Sequence, residues 1–476
     1  MANNRVSVSR RDFVKGAAAL GVGAPLMLPA SVVRGDSVTT APSERITLGF
    51  IGIGKQAHGH LDSLSGMKTT QVLAVCDVDT VRRDHAKDLV DKKYALLERK
   101  GQTVDAYKDF RELLDRKDID AVVIGTPDHW HAAIAIEAAK AGKDIYCEKP
   151  LTLTIHEAKT LVDVIRKHHR VFQTGSQQRS EGPFREACEY IRNGRLGKIQ
   201  EILVGLPGPT SKWCDLPAET PDPGLNWDVW LGQAPMRTYN QIICRKGLPD
   251  TYPFNPGWRD YREYSGGYVT DWGAHHFDIV QWALDMDDSG PSEVIPPEKE
   301  GDKFGAKVIY RGTRFGDDIP VTHVEVAYEF DTLEKMKQKA TTQNTSPADI
   351  EVRKHIVDKN GILFVGEKGK LFVSRSRMIL DSDTIDRSPM TEKDQRLFVS
   401  PGHRQNWLDC IKSREWPICD VEIGARSVTV CHLINLAYWH NRKLNWDPQR
   451  WEFPGDAEAN GWRSRERREG YELPAI

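Results

Sequence analysis

The feature that most constrains this sequence is a glycine-rich turn directly after an apolar, strand-like run. Residues 45–57 read R-I-T-L-G-F-I-G-I-G-K-Q-A, which places G-x-G-x-x-A after a predicted strand. Gly52 permits the tight turn, Gly54 lets a pyrophosphate approach the backbone, and Ala57 lets the next helix pack closely on the strand. Phosphates would then bind the free N–H groups at the start of that helix. The predicted cofactor contacts on this turn are Gly52, Gly54, Lys55, Gln56 and Ala57.

A second strand-like run, Val72 to Cys76, ends at Asp77. In a dinucleotide site a carboxylate about twenty residues after the glycines binds the ribose hydroxyls of NAD. Val78 follows Asp77 where a basic residue would favour NADP, so the pattern favours NAD. Arg82 and Arg83 lie one turn further and keep NADP possible. A glycine-rich turn without a ligand is the alternative, and the second strand argues against it.

The composition excludes several classes of protein. The chain has 476 residues, 39% of them hydrophobic, which suits two or three domains with full-sized cores. A formal net charge of −2 gives no electrostatic reason to bind nucleic acid. The eight cysteines show no C-x-x-C pair and no zinc-ligand spacing, so we predict no metal site.

Residues 1–35 resemble a signal segment and not part of the fold. Ser9 to Lys15 is a twin-arginine pattern, and the apolar run Gly16 to Val33 follows it. That run is marginal for a membrane span. We expect export by the twin-arginine route to the periplasm, with an uncleaved anchor as the alternative and no other membrane contact.

Apolar runs alternate with helical patterns up to residue 168, which predicts an α/β fold with a doubly wound parallel sheet over residues 45–168. Ala121 to Ile124 is a wholly apolar run, as a buried parallel strand requires. Asp144 to Cys147 is another short strand, and Glu148, Lys149 and Pro150 follow it. Residues at the carboxyl ends of such strands face the nucleotide crevice. Lys149 could stabilise an alkoxide there, or be a surface lysine paired with Glu148.

Residues 169–476 are predicted to form a C-terminal α+β domain with a large, mainly antiparallel open sheet. The region 206–265 is irregular and rich in tryptophan, which is typical of a stretch that lines a functional site. Trp258 could stack on a sugar ring, or be a core residue. We expect substrate specificity to reside in this region.

A second cluster of chemistry-bearing residues lies in Y-V-T-D-W-G-A-H-H-F-D, residues 268–278. Asp271 and His275 are four residues apart and would share one helix face. A carboxylate that orients an imidazole is the arrangement of a general base, and His276 could bind substrate. An N-cap aspartate beside a core histidine is the structural alternative.

G-x-G-x-x-A, C-D-V-D, T-P-x-x-x-H and E-K-P, in this order and spacing, resemble the Gfo/Idh/MocA family, which includes glucose–fructose oxidoreductase and inositol dehydrogenases. The resemblance implies an N-terminal Rossmann domain and a substrate domain that assembles into dimers or tetramers. It implies that Lys149 contacts cofactor and substrate, and that D-x-x-x-H is the family's second signature. It implies further cofactor contacts at Thr126, Pro127, His131, Glu148 and Gln177, and a substrate contact at Arg179. The alternative for the glutamine and the arginine is that they cap the following helix.

The resulting interpretation is an NAD(P)-dependent oxidoreductase that acts on a hydroxyl of a sugar, glycoside or cyclitol. His275 would take the hydroxyl proton, Asp271 would orient His275, and Lys149 would stabilise the alkoxide. Because an exported enzyme has no nicotinamide pool, the cofactor would stay tightly bound and be recycled. The alternatives are an NAD-dependent glycosidase or epimerase that acts through a keto-sugar, and a non-catalytic sugar- or nucleotide-binding protein.

Overall fold

A computed structural model describes residues 44–99, 101–248, 257–329 and 357–476. The predicted signal segment, residues 1–35, lies outside the described residues. The pattern of residues 322–330 predicts a strand, and part of that segment also lies outside the described residues. Within the described ranges, no helix has the length and apolar character needed to cross a membrane.

The first sheet follows from the apolar runs of the N-terminal half. Its strands are β1 (Ile46–Ile51), β2 (Thr70–Cys76), β3 (Asp105–Tyr107), β4 (Ala121–Ile124), β5 (Asp144–Cys147) and β6 (Phe172–Thr174). All neighbouring strands are parallel, and the order in the described part of the chain is β3-β2-β1-β4-β5-β6. This order confirms the predicted Rossmann sheet, whose strand order reverses between β1 and β4.

Helices cover both faces of this sheet. They are α1 (Lys55–Gly66), α2 (Thr80–Leu96), α3 (Phe110–Leu114), α4 (Asp128–Lys140) and α5 (Ile155–His168). The sequence pattern predicts a helix from Ala132 to Ala141, and in the structure this helix begins four residues earlier, at Asp128. Pro127 is its N-cap residue with φ −60° and ψ 154°, so the chain turns directly from β4 into the helix. The T-P-D-H-W-H segment is therefore mostly the first turns of α4.

The second sheet is larger and mainly antiparallel, as the sequence predicts. Its strands are β7 (Ile199–Gly205), β8 (Glu293–Ile295), β9 (Lys307–Tyr310), β10 (Ile319–Val324), β13 (Gly361–Gly366), β14 (Gly369–Val373), β15 (Met378–Leu380) and β16 (Leu444–Asn445); a separate pair is β11 (Tyr328–Glu329) and β12 (Val357–Asp358). The order among the described strands is β15-β14-β13-β7-β10-β9-β8-β16. Only the β7–β10 pair of the described ladders is parallel in this sheet.

The remaining helices are α6 (Gly182–Arg192), α7 (Trp227–Leu231), α8 (Tyr268–Asp271), α9 (Gly273–Ala283), α10 (His403–Ser413), α11 (Val421–His440) and α12 (Ala457–Gly461). α11 is buried along most of its length and packs against both α5 and α9. In addition, Trp407 and Leu408 of α10 belong to the same apolar cluster as Phe50 of β1. The two predicted domains are therefore joined by shared core, and the predicted boundary at residue 168 stays a prediction.

Candidate active site

A cavity of about 230 Å³ lies where the carboxyl ends of β1, β2, β4 and β5 meet the second half of the chain. In an open parallel sheet this edge is where ligands bind, beside the point at which the strand order reverses. Residues from the turns after all four strands line the cavity, and so do residues from the irregular region and from α8 and α9. One continuous space therefore joins the predicted cofactor and substrate residues.

The glycine-rich turn has the geometry that its sequence predicts. Gly52 has φ +79°, and a Cβ there would lie 2.5 Å from Cγ2 of Thr126. At Gly54 a Cβ would meet only the carbonyl oxygen of Gly125, at 3.6 Å, so the backbone faces open space. α1 begins at Lys55 and no side chain caps it. An anion can therefore approach this helix N-terminus closely.

Asp77 closes this turn from the end of β2. Its Oδ2 accepts a hydrogen bond from the backbone N–H of Ile53 (2.7 Å), and its Oδ1 accepts one from that of Asp79 (2.9 Å). Burial raises the pKa of Asp77, while the charge of Arg82 opposes that rise. The Arg82 guanidinium donates to the carbonyl of Arg245 (2.7 Å). The carboxylate is thus fixed at the cavity wall, where the ribose contact is predicted.

A buried polar atom shows that the crevice suits a dinucleotide. Oγ1 of Thr126 is buried without a hydrogen-bond partner among the described residues, and Thr126 lines the cavity opposite Gly52. Leaving a buried hydroxyl unpaired is unfavourable, so a ligand that bonds it is expected here. His131 places its ring nitrogens against the carbonyl oxygens of Pro150 (2.7 Å) and Thr126 (2.9 Å), which holds this wall in place.

Glu148 is the centre of a hydrogen-bond network and does not pair with Lys149. Its Oε1 lies 2.6 Å from Nε2 of His60 and accepts from Gln177 (3.3 Å) and Gln56 (3.5 Å). Burial raises the pKa of Glu148, but the hydrogen bond with His60 and the charge of Lys149 outweigh burial and hold it below its usual value. Glu148 therefore lies beside the cavity as a carboxylate.

Lys149 is bonded to Asp271 across the cavity. Its Nζ donates to Oδ1 of Asp271 (2.7 Å) and to the backbone carbonyl of the same residue (3.0 Å). The guanidinium of Arg259 lies 3.3 Å from the same carboxylate oxygen. Burial raises the pKa of Asp271, but the charges of Lys149 and Arg259 dominate and lower it below its ordinary range. The sequence placed Lys149 and Asp271 in one site, and the tertiary structure brings them into contact.

The predicted contact between Asp271 and His275 is wrong. No hydrogen bond of the described residues joins them, because α8 ends at Asp271, α9 begins at Gly273, and two cations hold the carboxylate. Nε2 of His275 instead accepts a hydrogen bond from Arg375 (3.0 Å), and its Nδ1 has no partner among the described residues. Burial lowers the pKa of His275 well below 6.5, and the charges of Lys149 and Arg375 lower it further. The imidazole is therefore neutral.

Three of the predicted site residues do not line the cavity. Arg179 is a substrate residue in the prediction, but its guanidinium is buried between the carboxylates of Asp278 (2.8 Å) and Asp287 (2.7 Å). These two carboxylates neutralise the buried guanidinium, so Arg179 stabilises the fold and does not face a substrate. His276 is buried and bonds Asn360, again away from the cavity. Ala57 is fully buried behind the turn, where it packs against Gly125.

Sequence reasoning missed two guanidinium groups on the substrate side of the cavity. Arg259 lies over the ring of Trp258 (Cζ to centroid 4.4 Å), and Arg375 lies over that of Trp272 (5.0 Å). Trp258 itself lines the cavity, as predicted. The only signal for Arg259 is its place beside Trp258 in the irregular region. Arg375 follows β14 in an ordinary polar turn, and no motif marks it.

The irregular region also forms a strap over the cofactor end of the cavity. We define the strap as residues 222–245. Its backbone pairs with the turn after β2, because Thr80 N–H donates to the carbonyl of Gly224 (3.1 Å) and Asn226 N–H donates to that of Val78 (3.0 Å). Further along, Cys244 and Arg245 line the cavity. The strap thus encloses the side of the crevice that Asp77 forms.

Comparison with known proteins agrees with this geometry. A family model described as "Oxidoreductase family, NAD-binding Rossmann fold" matches residues 46–176. A second model, "Oxidoreductase family, C-terminal alpha/beta domain", matches residues 212–313. The first segment is therefore an NAD-binding Rossmann domain, and its glycine turn, Asp77 and unpartnered Thr126 hydroxyl fit that cofactor.

Curated relatives match part of the chain. An "Alpha-N-acetylgalactosaminidase" from Shewanella oneidensis is 31% identical over 214 residues, which is 42% of this chain and 45% of the relative. A "Glycosyl hydrolase family 109 protein 1" from Shewanella sp. (strain ANA-3) matches to the same extent. The alignment thus spans less than half the length of these relatives.

Solved structures share the fold over most of the chain. The WlbA dehydrogenase from Bordetella pertussis, in complex with NADH and UDP-GlcNAcA, is 17% identical with a TM-score of 0.53, covering 84% of this chain and 98% of that one. The scyllo-inositol dehydrogenase from Lactobacillus casei, with bound NAD(H) and scyllo-inositol, is 16% identical with a TM-score of 0.50, covering 84% and 99%. At sequence identities this low, the similarity to these two structures concerns the fold alone.

Proposed function

Because matches to two models of the Gfo/Idh/MocA oxidoreductase family support membership of that family, we propose that this chain oxidises a hydroxyl of a sugar, glycoside or cyclitol with NAD. The observation that carries the proposal is the single cavity in which the NAD-binding turn meets Lys149, Asp271 and His275. The named ligands of the WlbA and scyllo-inositol dehydrogenases, a sugar nucleotide and a cyclitol, support a polyhydroxylated substrate class.

His275 is the proposed proton acceptor. Its pKa is lowered by burial and neighbouring cations, so the ring is neutral and can take the hydroxyl proton. An arginine can only donate, so the hydrogen bond from Arg375 identifies Nε2 as the ring atom with the lone pair and Nδ1 as the one with the hydrogen. NAD, when bound, would supply the hydride acceptor for this oxidation.

Lys149 is the proposed electrostatic partner of the reacting oxygen. Two of its ammonium contacts go to the carboxylate and the carbonyl of Asp271, and no described residue takes a third. The remaining N–H can therefore donate to the substrate oxygen as negative charge develops on it. Asp271 acts through Lys149 in this proposal, because its carboxylate and its carbonyl fix the position of the ammonium. Its predicted role as the partner of His275 is not retained.

The strap supports a cofactor that stays bound between turnovers. Its backbone hydrogen bonds to Val78 and Thr80 hold it against the crevice beside Asp77, so these contacts would slow dissociation of the cofactor. We propose with this that the chain is exported through its twin-arginine segment to the periplasm, where retention of NAD would allow redox-neutral recycling. Assembly into a dimer or tetramer remains a prediction from family resemblance.

The second candidate function is glycoside cleavage through a keto-sugar. The curated relatives named as an α-N-acetylgalactosaminidase and as family 109 glycosyl hydrolases favour it. The first half of such a reaction is the same oxidation, because a ring ketone acidifies the adjacent C–H and permits loss of the glycosidic oxygen. Lys149 and His275 would then act in both halves. If the chain were a non-catalytic binding protein, the arrangement of Lys149, Asp271 and His275 would have no catalytic role.

The proposal is tested on protein purified without added nucleotide. Mass analysis should detect bound NAD, and a panel of sugars, glycosides and inositols should raise absorbance at 340 nm. Steady release of product from a glycoside without a lasting 340 nm change would favour the glycosidase. Binding of sugars without either signal would contradict the proposed oxidation and favour a binding protein.

A further inference from the structure

The substrate side of the cavity holds more cationic groups than its carboxylates neutralise. Lys149, Arg259 and Arg375 line it, and Asp271 is the carboxylate that contacts the first two of them. Burial raises the pKa of Asp128, another lining residue, and so disfavours its charged form. Glu148 is ionised, but its hydrogen bonds go to His60 and two glutamines.

Both guanidinium groups lie over tryptophan rings and keep unused N–H groups. Arg259 lies over Trp258 and Arg375 over Trp272, and such a cation–π contact consumes none of the N–H donors. Among the described residues, Nη1 of Arg375 bonds no group and no carboxylate forms an ion pair with Arg375. The Arg259 side chain has Asp271 as its one ion-pair partner in the described part of the chain. A planar fork with free donors matches a carboxylate or phosphate.

Arg375 also covers the proposed base. Its Nη2 donates to Nε2 of His275, the ring atom that would receive the hydroxyl proton. Its Nε faces the side-chain amide of Gln178, whose oxygen accepts at 3.1 Å in the amide orientation that satisfies both groups. The residue is exposed on the turn after β14, so its side chain can shift without opening the core. For His275 to act, the guanidinium must leave Nε2.

We propose that the substrate is a sugar with an anionic substituent, a carboxylate or a phosphate, and that Arg375 is the specificity-determining residue that binds it. The inference rests on the proposed oxidation and adds its substrate class. When the guanidinium binds the anion, Nε2 of His275 is released to accept the hydroxyl proton. Binding of the anionic group therefore determines whether His275 can act as the base. Arg259, which also lines the cavity and pairs with Asp271, adds positive charge.

The test compares matched ligands on NAD-loaded protein by calorimetry and by 340 nm assay. D-glucose and D-galactose are paired with their hexuronates and with their 6-phosphates. Wild-type protein should bind an anionic member about 10- to 100-fold more tightly than its neutral parent, the range of a charge-assisted hydrogen bond. Tighter binding of the hexuronate identifies a carboxylate, and tighter binding of the 6-phosphate identifies a phosphate.

Variants of the turn after β14 separate recognition from folding. Arg375→Ala should remove the preference for the anion and raise KM for it ~10- to 100-fold, while Arg375→Lys should restore part of it. Arg377→Ala is the matched control, since Arg377 lies two residues away and outside the cavity lining. It should keep the wild-type preference.

Two results would overturn the inference. One is equal affinity of wild-type protein for neutral and anionic members of every pair, with oxidation of the neutral sugars intact. The other is an Arg375→Ala protein that keeps the anion preference. In both cases the proposed oxidation is still supported. If none of the ligands is oxidised, that result contradicts the proposed oxidation itself.

Discussion

At the scale of single residues, His275 is the group on which proton transfer depends. General base catalysis contributes roughly 10²–10⁴-fold. His275→Ala should therefore lower kcat by about that factor while NAD still binds, because the cofactor turn is distant in sequence and intact. Steady-state kinetics and fluorescence titration with NADH measure the two quantities. A near-native kcat would show that another group accepts the proton.

The pH profile of turnover should report the neutral state of this imidazole. Burial lowers the pKa of His275, and so do the charges of Lys149 and Arg375 and, once they are protonated in acid, those of His276 and His403. A base is active when unprotonated, so kcat/KM for oxidation should hold as pH falls through 6.5 and decline only in more acidic solution. An acid limb at or above 6.5 that His275→Ala abolishes would contradict this expectation.

Arg179 should matter for stability and not for binding. Its guanidinium is buried with the carboxylates of Asp278 and Asp287, and removing one partner of such a group leaves buried charge uncompensated. Arg179→Ala should lower the free energy of unfolding by about 3–5 kcal/mol. Urea denaturation measures it, with Arg111→Ala in an exposed pair with Asp109 as the control, where a change of about 1 kcal/mol or less is expected. An increase in KM without loss of stability would restore the predicted substrate role.

At the scale of secondary-structure elements, the β1–α1 turn is the least tolerant segment. Gly52→Ala places a Cβ 2.5 Å from Thr126 and forces φ +79° on a residue with a side chain. The free energy of unfolding should fall by about 1–3 kcal/mol, and NAD affinity should fall with it.

Gly59 of α1 is the matched control for that substitution. It is helical and exposed, and nothing lies within 4 Å of the position of its Cβ. Gly59→Ala should raise the free energy of unfolding by about 0.5–1 kcal/mol. Equal effects of the two substitutions in urea denaturation would contradict a special conformation at Gly52.

At the scale of the whole molecule, the strap joins the second half of the chain to the cofactor crevice. A Cβ on Gly224 would lie 3.0 Å from Cβ of Thr80, so Gly224→Ala should loosen this contact. We expect NAD to dissociate several-fold faster and to be lost on gel filtration. Gly290→Ala is the control, because its Cβ would make only an ordinary 3.6 Å contact. Unchanged NAD retention in Gly224→Ala would show that the strap does not hold the cofactor.

The sequence by itself determined the Rossmann sheet and the NAD-binding turn. Apolar runs of four or five residues, such as 121–124 and 72–76, predict buried parallel strands through local pattern alone. The conformation of Gly52 and the place of Asp77 are likewise properties of one local unit, β1–α1–β2. Because these features depend on residues that are close together in the chain, the local sequence pattern is sufficient to predict them.

Only the tertiary structure decided how the charged groups pair. Lys149 and Asp271 are 122 positions apart, and His275 and Arg375 are 100 apart, so no local periodicity links them. Spacing on one helix face suggested that Asp271 contacts His275, but Coulombic attraction to Lys149 and Arg259 holds the carboxylate elsewhere. The packed fold likewise buries Arg179 against the carboxylates of Asp278 and Asp287. Such contacts are set by which charges the packed fold brings within a few ångströms, and that information is absent from any one segment.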